Sequence, residues 1–180
     1  MADGDLGSRN GASVLFGQAR RASEARDFDT AIEAYVKGLR IAPETVDAHI
    51  ELRLVALRRR EAGGPPPSES EKARFKQGKT ALDVMLGAEL LLAKDPTHLA
   101  YAEVLLRAAV VGGFKKTATW IADLVFLANN RSARPSLRLY HLLAPALDKC
   151  AECVERENPP LCEKVCMANC LFVAPVEKLL

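Results

Sequence analysis

Residues 26 to 43 read RDFDTAIEAYVKGLRIAP, and this stretch decides the fold. Phe28, Ala31, Ile32, Tyr35, Val36 and Leu39 recur at spacings of three, four and one, which gathers them on one side of a helix of 3.6 residues per turn. Asp27 or Asp29 supplies a side-chain acceptor for the unpaired N–H groups of the first turn. Ala42-Pro43 ends the helix, because proline breaks the hydrogen-bond ladder and disfavours the helical conformation of the residue before it. A helix with one apolar side needs partners to bury it, and the flanking sequence has to provide them.

It provides helices on both sides. Upstream, Ala12 to Ala25 carries Val14, Leu15, Ala19 and Ala22 opposite Arg20, Arg21 and Glu24, a short amphipathic helix. Residues 1–11 mix Gly, Asp, Ser and Asn without periodicity and are expected to form a disordered tail. Downstream, a helix is expected from about Thr45 to Glu61, stopped by Gly63-Gly64-Pro65-Pro66-Pro67. Ser68 and Glu71 have the spacing of a capping box, so a long helix should start there and reach Lys94, with Gly78 a point of interruption. Further helices follow at about 97–111, 115–128 and 136–149, seven in all. Composition agrees: 28 Ala and 25 Leu with only 6% aromatic residues favour helix over sheet. The fold class expected is therefore all-α.

Successive helices of similar length call for a search for repeats. Arg26 to Pro43 resembles the second half of a tetratricopeptide repeat (TPR), on Phe28, Ala31, Ile32, Tyr35, Gly38, Leu39 and the closing Pro43. Small Ala31 and Gly38 permit close helix approach, while Phe28 and Tyr35 fill the space between helix pairs. Pro96 lies 53 residues after Pro43; a period of about 34 residues leaves an insertion of about 19, placed at about 62–80 within GGPPPSESEKARFKQGK. Ala48, His49, Leu52 and Ala56 match first-helix positions of a second unit. Ala109, Gly113 and Ala118 match a third, with Asn130 in place of the closing proline. Gln18, Arg53 and Lys115 depart from the pattern. The resemblance covers residues 12–149 and implies a TPR-like α-α superhelix of about three units plus a terminal helix. It is closest to small bacterial TPR proteins with an insertion in the second repeat.

Such a scaffold binds an extended or helical segment of another protein on its concave side. The resemblance assigns Phe16, Arg20, Ser23 and Glu24 of the first unit, and Ile50, Leu54, Leu57 and Arg58 of the second, to that groove. These residues lack the Lys/Arg/Asn set that clamps a terminal carboxylate. The expected function is a non-enzymatic scaffold or adaptor with a protein partner, because His49, His98 and His141 stand apart and no phosphate loop, HExxH or GxSxG occurs. His49 reads as a packing residue, and so does Trp120.

Charge names no other partner. Lys+Arg 25 against Asp+Glu 23 leaves +2, too balanced for a typical nucleic-acid binder. Arg58-Arg59-Arg60 and the lysines after it make residues 46–80 locally basic, 8 basic against 5 acidic; a solvated helix face accounts for them. No uncharged stretch approaches the roughly 18 residues of a membrane span, and MADGDLGSRNG lacks the apolar core of a secretory signal. A cytoplasmic protein with reduced thiols is expected.

The five cysteines all fall in 150–170, within a Cys-rich segment spanning 150–180. Cys150, Cys153, Cys162 and Cys166 could hold a tetrahedral zinc, although the intervening loop is shorter than in two-knuckle zinc sites. Two other arrangements stand beside it: free thiols, or a disulfide-linked hairpin joining Cys153 to Cys162 and Cys150 to Cys166. The alternative function is accordingly a zinc-binding or redox-responsive protein. No other cofactor is expected.

Overall fold

The computed structural model describes residues 3–132 except 76, together with 135, 136, 139, 142 and 143. Helices α1 (Asp3–Glu24), α2 (Phe28–Ile41), α3 (Val46–Glu61), α4 (Glu69–Phe75), α5 (Ala81–Lys94), α6 (Leu99–Val111) and α7 (Lys115–Asn130) make the fold all-α, with no strand among the described residues.

Local chemistry sets the boundaries. Asp27 caps α2, its Oδ1 accepting the Thr30 N–H at 3.2 Å. The expected Ser68/Glu71 box forms: the Ser68 hydroxyl accepts from Glu71 N and Glu71 Oε2 accepts from Ser68 N at 2.8 Å. A second box, Thr80 with Asp83, starts α5. Gly63 closes α3 at φ +80°, a left-handed turn that side-chain-bearing residues resist.

Two helix expectations are corrected. The mobile tail read into residues 1–11 is helical from Asp3 onward, since α1 extends nine residues before Ala12. Once Ala12 to Glu24 is docked, each further residue adds a hydrogen bond without a new nucleus. The long helix expected from Ser68 to Lys94 is two, α4 and α5, separated by residues 76–80.

That break redirects the chain. Asp29, at the start of α2, accepts from Arg59 Nε near the end of α3 at 2.9 Å, so α2 and α3 are antiparallel. Arg40 meets Asp83 at 2.8 Å and Asp29 meets Lys94 at 3.5 Å, so α5 also runs against α2. α3 and α5 therefore point the same way, and the short α4 makes the return, with Glu71 on Lys94 at 2.5 Å and Phe75 over Gly87. The expected insertion is thus a helix in its own right, and residues 46–61 and 81–94 are not an antiparallel pair.

α6 turns back at Asp95 to His98, and α7 starts beside the start of α3: Lys116 N donates to Glu44 Oε1 at 3.0 Å. α3 packs on α5 and α7, and α6 packs on the same two. Four helices thereby close a ring around Leu105, Leu106, Ile121 and Val125, all fully buried. The α1–α2 hairpin attaches to this ring through α2, which packs on α3 and α5. Most of the terminal helix expected at 136–149 lies outside the described residues.

Candidate docking face

α3 positions the face. Its inward side buries Ala48, His49, Leu52, Val55, Ala56 and Arg59, and its outward side still carries large apolar residues. Ile50, Leu54 and Leu57 are 42%, 50% and 37% exposed, and Arg58 beside them is exposed too. Offsets of four, seven and eight residues align all four along one side of the helix. A helix apolar on both sides is normally buried on both, so the outer stripe is surface in need of cover.

Arg20 joins this face from α1. Its Nε donates to both carboxylate oxygens of Glu51, at 3.1 and 2.9 Å, and the Tyr35 hydroxyl of α2 donates to Glu51 Oε2 at 2.9 Å. The hydrogen bond to Glu51 pushes the Arg20 pKa up; burial, then Glu51, pushes the Tyr35 phenol up. Both keep their protons throughout the physiological range, so Arg20 stays charged and Tyr35 stays a hydroxyl donor. Ser23 is half-buried and Glu24 exposed at the end of α1.

Phe16 is the residue that the groove assignment misplaced. Its ring is 7% exposed, lies parallel-stacked on Tyr35 at 6.2 Å between centroids, and covers Gly38, where a Cβ would stand 2.3 Å from Phe16 Cε1. Gly38 lets α1 and α2 approach closely enough for the phenyl ring to fill their interface, which leaves it no path to solvent. The structure thus brings Arg20, Ile50, Leu54, Leu57 and Arg58 to the surface and takes Phe16 into the core.

The Arg58-Arg59-Arg60 run is divided three ways. Arg58 is exposed; Arg60 Nη1 donates to Thr97 Oγ1 at 2.9 Å. Arg59, 3% exposed, donates to Asp29 Oδ1 at 2.9 Å and to Pro65 O at 2.7 Å. The continuous solvated basic face expected from sequence is therefore absent: Arg59 is a buried strut holding the proline loop and α2 to α3. Arg59 and the Glu51 hub escaped sequence reasoning because their side-chain partners, Asp29 for Arg59 and Tyr35 and Arg20 for Glu51, lie 16 to 31 residues away on other helices.

Behind α3, opposite the docking stripe, a half-open cleft is lined by His49, Arg53, Glu89 and Trp120 among others. His49 and Trp120 are the packing residues that the sequence suggested, stacked at 5.0 Å between ring centroids. No group of three or more metal-ligating side chains occurs among the described residues; Cys150, Cys153, Cys162 and Cys166 lie outside them. No described helix is long and apolar enough to cross a membrane.

Fold and face together define an all-α protein that leaves an apolar stripe of α3 open among the described residues. The chain matches no family model, no curated protein and no solved structure.

Proposed function

We propose that the chain is a non-enzymatic protein-interaction module that docks an apolar, helical segment of another protein along α3. The observation that carries this reading is the outward stripe Ile50, Leu54 and Leu57 on a helix whose other side is already buried. Arg20 and Arg58 at its margins supply hydrogen-bond donors for acidic groups beside the partner's apolar stripe. The TPR resemblance supports a binding role through first helices, and α1 and α3 are the first helices of the first two of the three units that it names. The ring closure of α7 on α3 places the α5–α7 half behind this face, where it braces the docking helix.

Site-specific photocrosslinking tests the reading. A photoreactive phenylalanine analogue at Leu54 is expected to trap a discrete protein adduct in cells, and Leu57→Asp should abolish that adduct while helical CD and Tm stay unchanged. The control position is Val111, 80% exposed at the end of α6. Equal labelling at 54 and 111, or an adduct indifferent to Leu57→Asp, would overturn the proposal.

A further inference from the structure

His49 is fully buried where α3, α5, α7 and the turn before α3 meet, and oxygen atoms face both of its ring nitrogens. Nδ1 is 2.6 Å from Glu89 Oε1, and Nε2 is 2.8 Å from Pro43 O. An ionised carboxylate and a backbone carbonyl only accept, whereas a neutral imidazole carries one N–H. Satisfying both contacts takes one proton more than neutral His49 and ionised Glu89 hold between them. That proton gives His49 an N–H on both ring nitrogens, and its loss leaves one of the two contacts without a donor.

Thr117 of α7 does not remove the requirement. Its hydroxyl donates to Pro43 O at 2.7 Å and stands 3.2 Å from Nε2. Once the pair has lost its extra proton, the hydroxyl hydrogen can serve Nε2 or Pro43 O but not both. One ring nitrogen then turns a lone pair on an acceptor, Nε2 on the Pro43 carbonyl at 2.8 Å in one tautomer or Nδ1 on Glu89 Oε1 at 2.6 Å in the other, and the two repel. The other charged groups near the ring act elsewhere. Arg53 of α3 lines the same cleft and reaches Pro96 O, 3.5 Å away, and Glu44 of the turn accepts from Lys116 N. α7 otherwise presents Trp120, which is uncharged, and Glu89 is the carboxylate from α5.

We propose that the His49–Glu89 pair is a proton-operated latch: holding its extra proton, it fastens the Pro43 turn and the start of α7 onto α3 and α5, and losing that proton releases them. This conclusion is independent of docking on the outer face of α3. The direction of titration agrees with the geometry. Burial by itself lowers the His49 pKa, but the charge and hydrogen bond of Glu89 and the bond to Pro43 together outweigh it, so the ring titrates above its ordinary 6.5. A folded-state pKa above the unfolded one means that the stabilisation is complete below pH 6.5 and disappears as pH rises through the folded value.

Trp120 is the one tryptophan of the chain and stacks on His49, so its emission reports the latch directly. The test is a fluorescence titration of the full-length protein from pH 5.5 to 9 under reducing conditions, with amide hydrogen exchange of Lys116 and Ala118 at both ends of the range. A one-proton transition centred above pH 6.5 is expected, with exchange at both amides at least tenfold faster on its alkaline side than the ordinary pH effect on exchange accounts for. Glu89→Gln should lower the midpoint by at least one pH unit, and His49→Gln should abolish the transition, each with helical CD retained. A wild-type midpoint at or below 6.5, a transition that persists in His49→Gln, or unchanged protection at Lys116 and Ala118 would each overturn the latch.

Discussion

The α1–α2 hairpin and the ring of α3, α5, α6 and α7 are closed by different chemistry. In the hairpin the central contact is apolar and close: Phe16 lies over Gly38 and against Tyr35, and the polar contacts, Arg20 and Tyr35 on Glu51, sit toward the rim. In the ring, α3, α5 and α7 meet at a polar seam in which His49, Glu89 and Thr117 are buried and the half-buried Pro43 turn supplies a carbonyl. Shape complementarity holds helices that are neighbours in sequence, while a specific hydrogen-bond set selects one contact between helices 68 residues apart. The first interface is centred on an uncharged aromatic contact; the second contains a buried histidine that titrates above its ordinary value.

Three substitutions separate the two kinds of closure. The largest effect belongs to the buried pair. His49→Ala leaves Glu89 buried with neither oxygen bonded, and is expected to cost about 3–5 kcal/mol in urea unfolding at pH 6. Replacing both partners by apolar residues, His49→Leu with Glu89→Met, should recover most of that loss and erase the pH dependence. If the double variant is as unstable as the single one, the seam depends on packing and the comparison with the hairpin collapses.

Gly38→Ala probes the hairpin. The added methyl meets the Phe16 ring, and overpacking of about 1–3 kcal/mol set against a helix-propensity gain of about 1 kcal/mol leaves a net loss of about 0–2 kcal/mol. Phe16→Leu in the same chain should relieve the clash, so the two changes couple favourably in a double-mutant cycle. Independent, additive losses would show that the ring and Gly38 are not in tight contact.

The smallest effect is expected at Glu71, which clips α4 to the ring. Burial raises its pKa, but hydrogen bonds from Lys94 and Ser68 outweigh this and hold the carboxyl down to about 2. Its contribution is therefore present above the ordinary 4.5 and is lost as pH falls toward 2. Glu71→Gln should cost about 1 kcal/mol at pH 7, allowing for the side chain's partial exposure, and the two unfolding curves should converge near pH 2. A constant gap across that range would mean that Glu71 acts by shape alone.

The sequence was most informative where structure is local. The stripe of α2, its Asp27 cap and the Ser68/Glu71 box follow from residue spacing, which fixes what shares a helix face, while Ile50, Leu54 and Leu57, which are exposed, were assigned outward by the register of the TPR resemblance. It misled where spacing had to stand for tertiary placement. Phe16 has the register of a groove residue, but its surroundings depend on Gly38, 22 positions away. Arg59 reads like Arg58 and Arg60, yet only the approach of Asp29 and the proline loop makes it a buried strut. The pairing of helices failed for a related reason: a period can be counted across an insertion, but the direction of the chain after it cannot.

Residue periodicity, caps and breakers determined by themselves that this chain is helical, and they anticipated several of its helix boundaries, because hydrogen-bond ladders and their ends are built within a few residues. Tertiary structure alone decided that α5 runs with α3, that α7 returns to seal the ring, and that His49 meets Glu89, Thr117 and Pro43 at one point. Those contacts join residues from separate helices and a turn, and their energy depends on exclusion of water, a property of the assembled core that no single segment possesses.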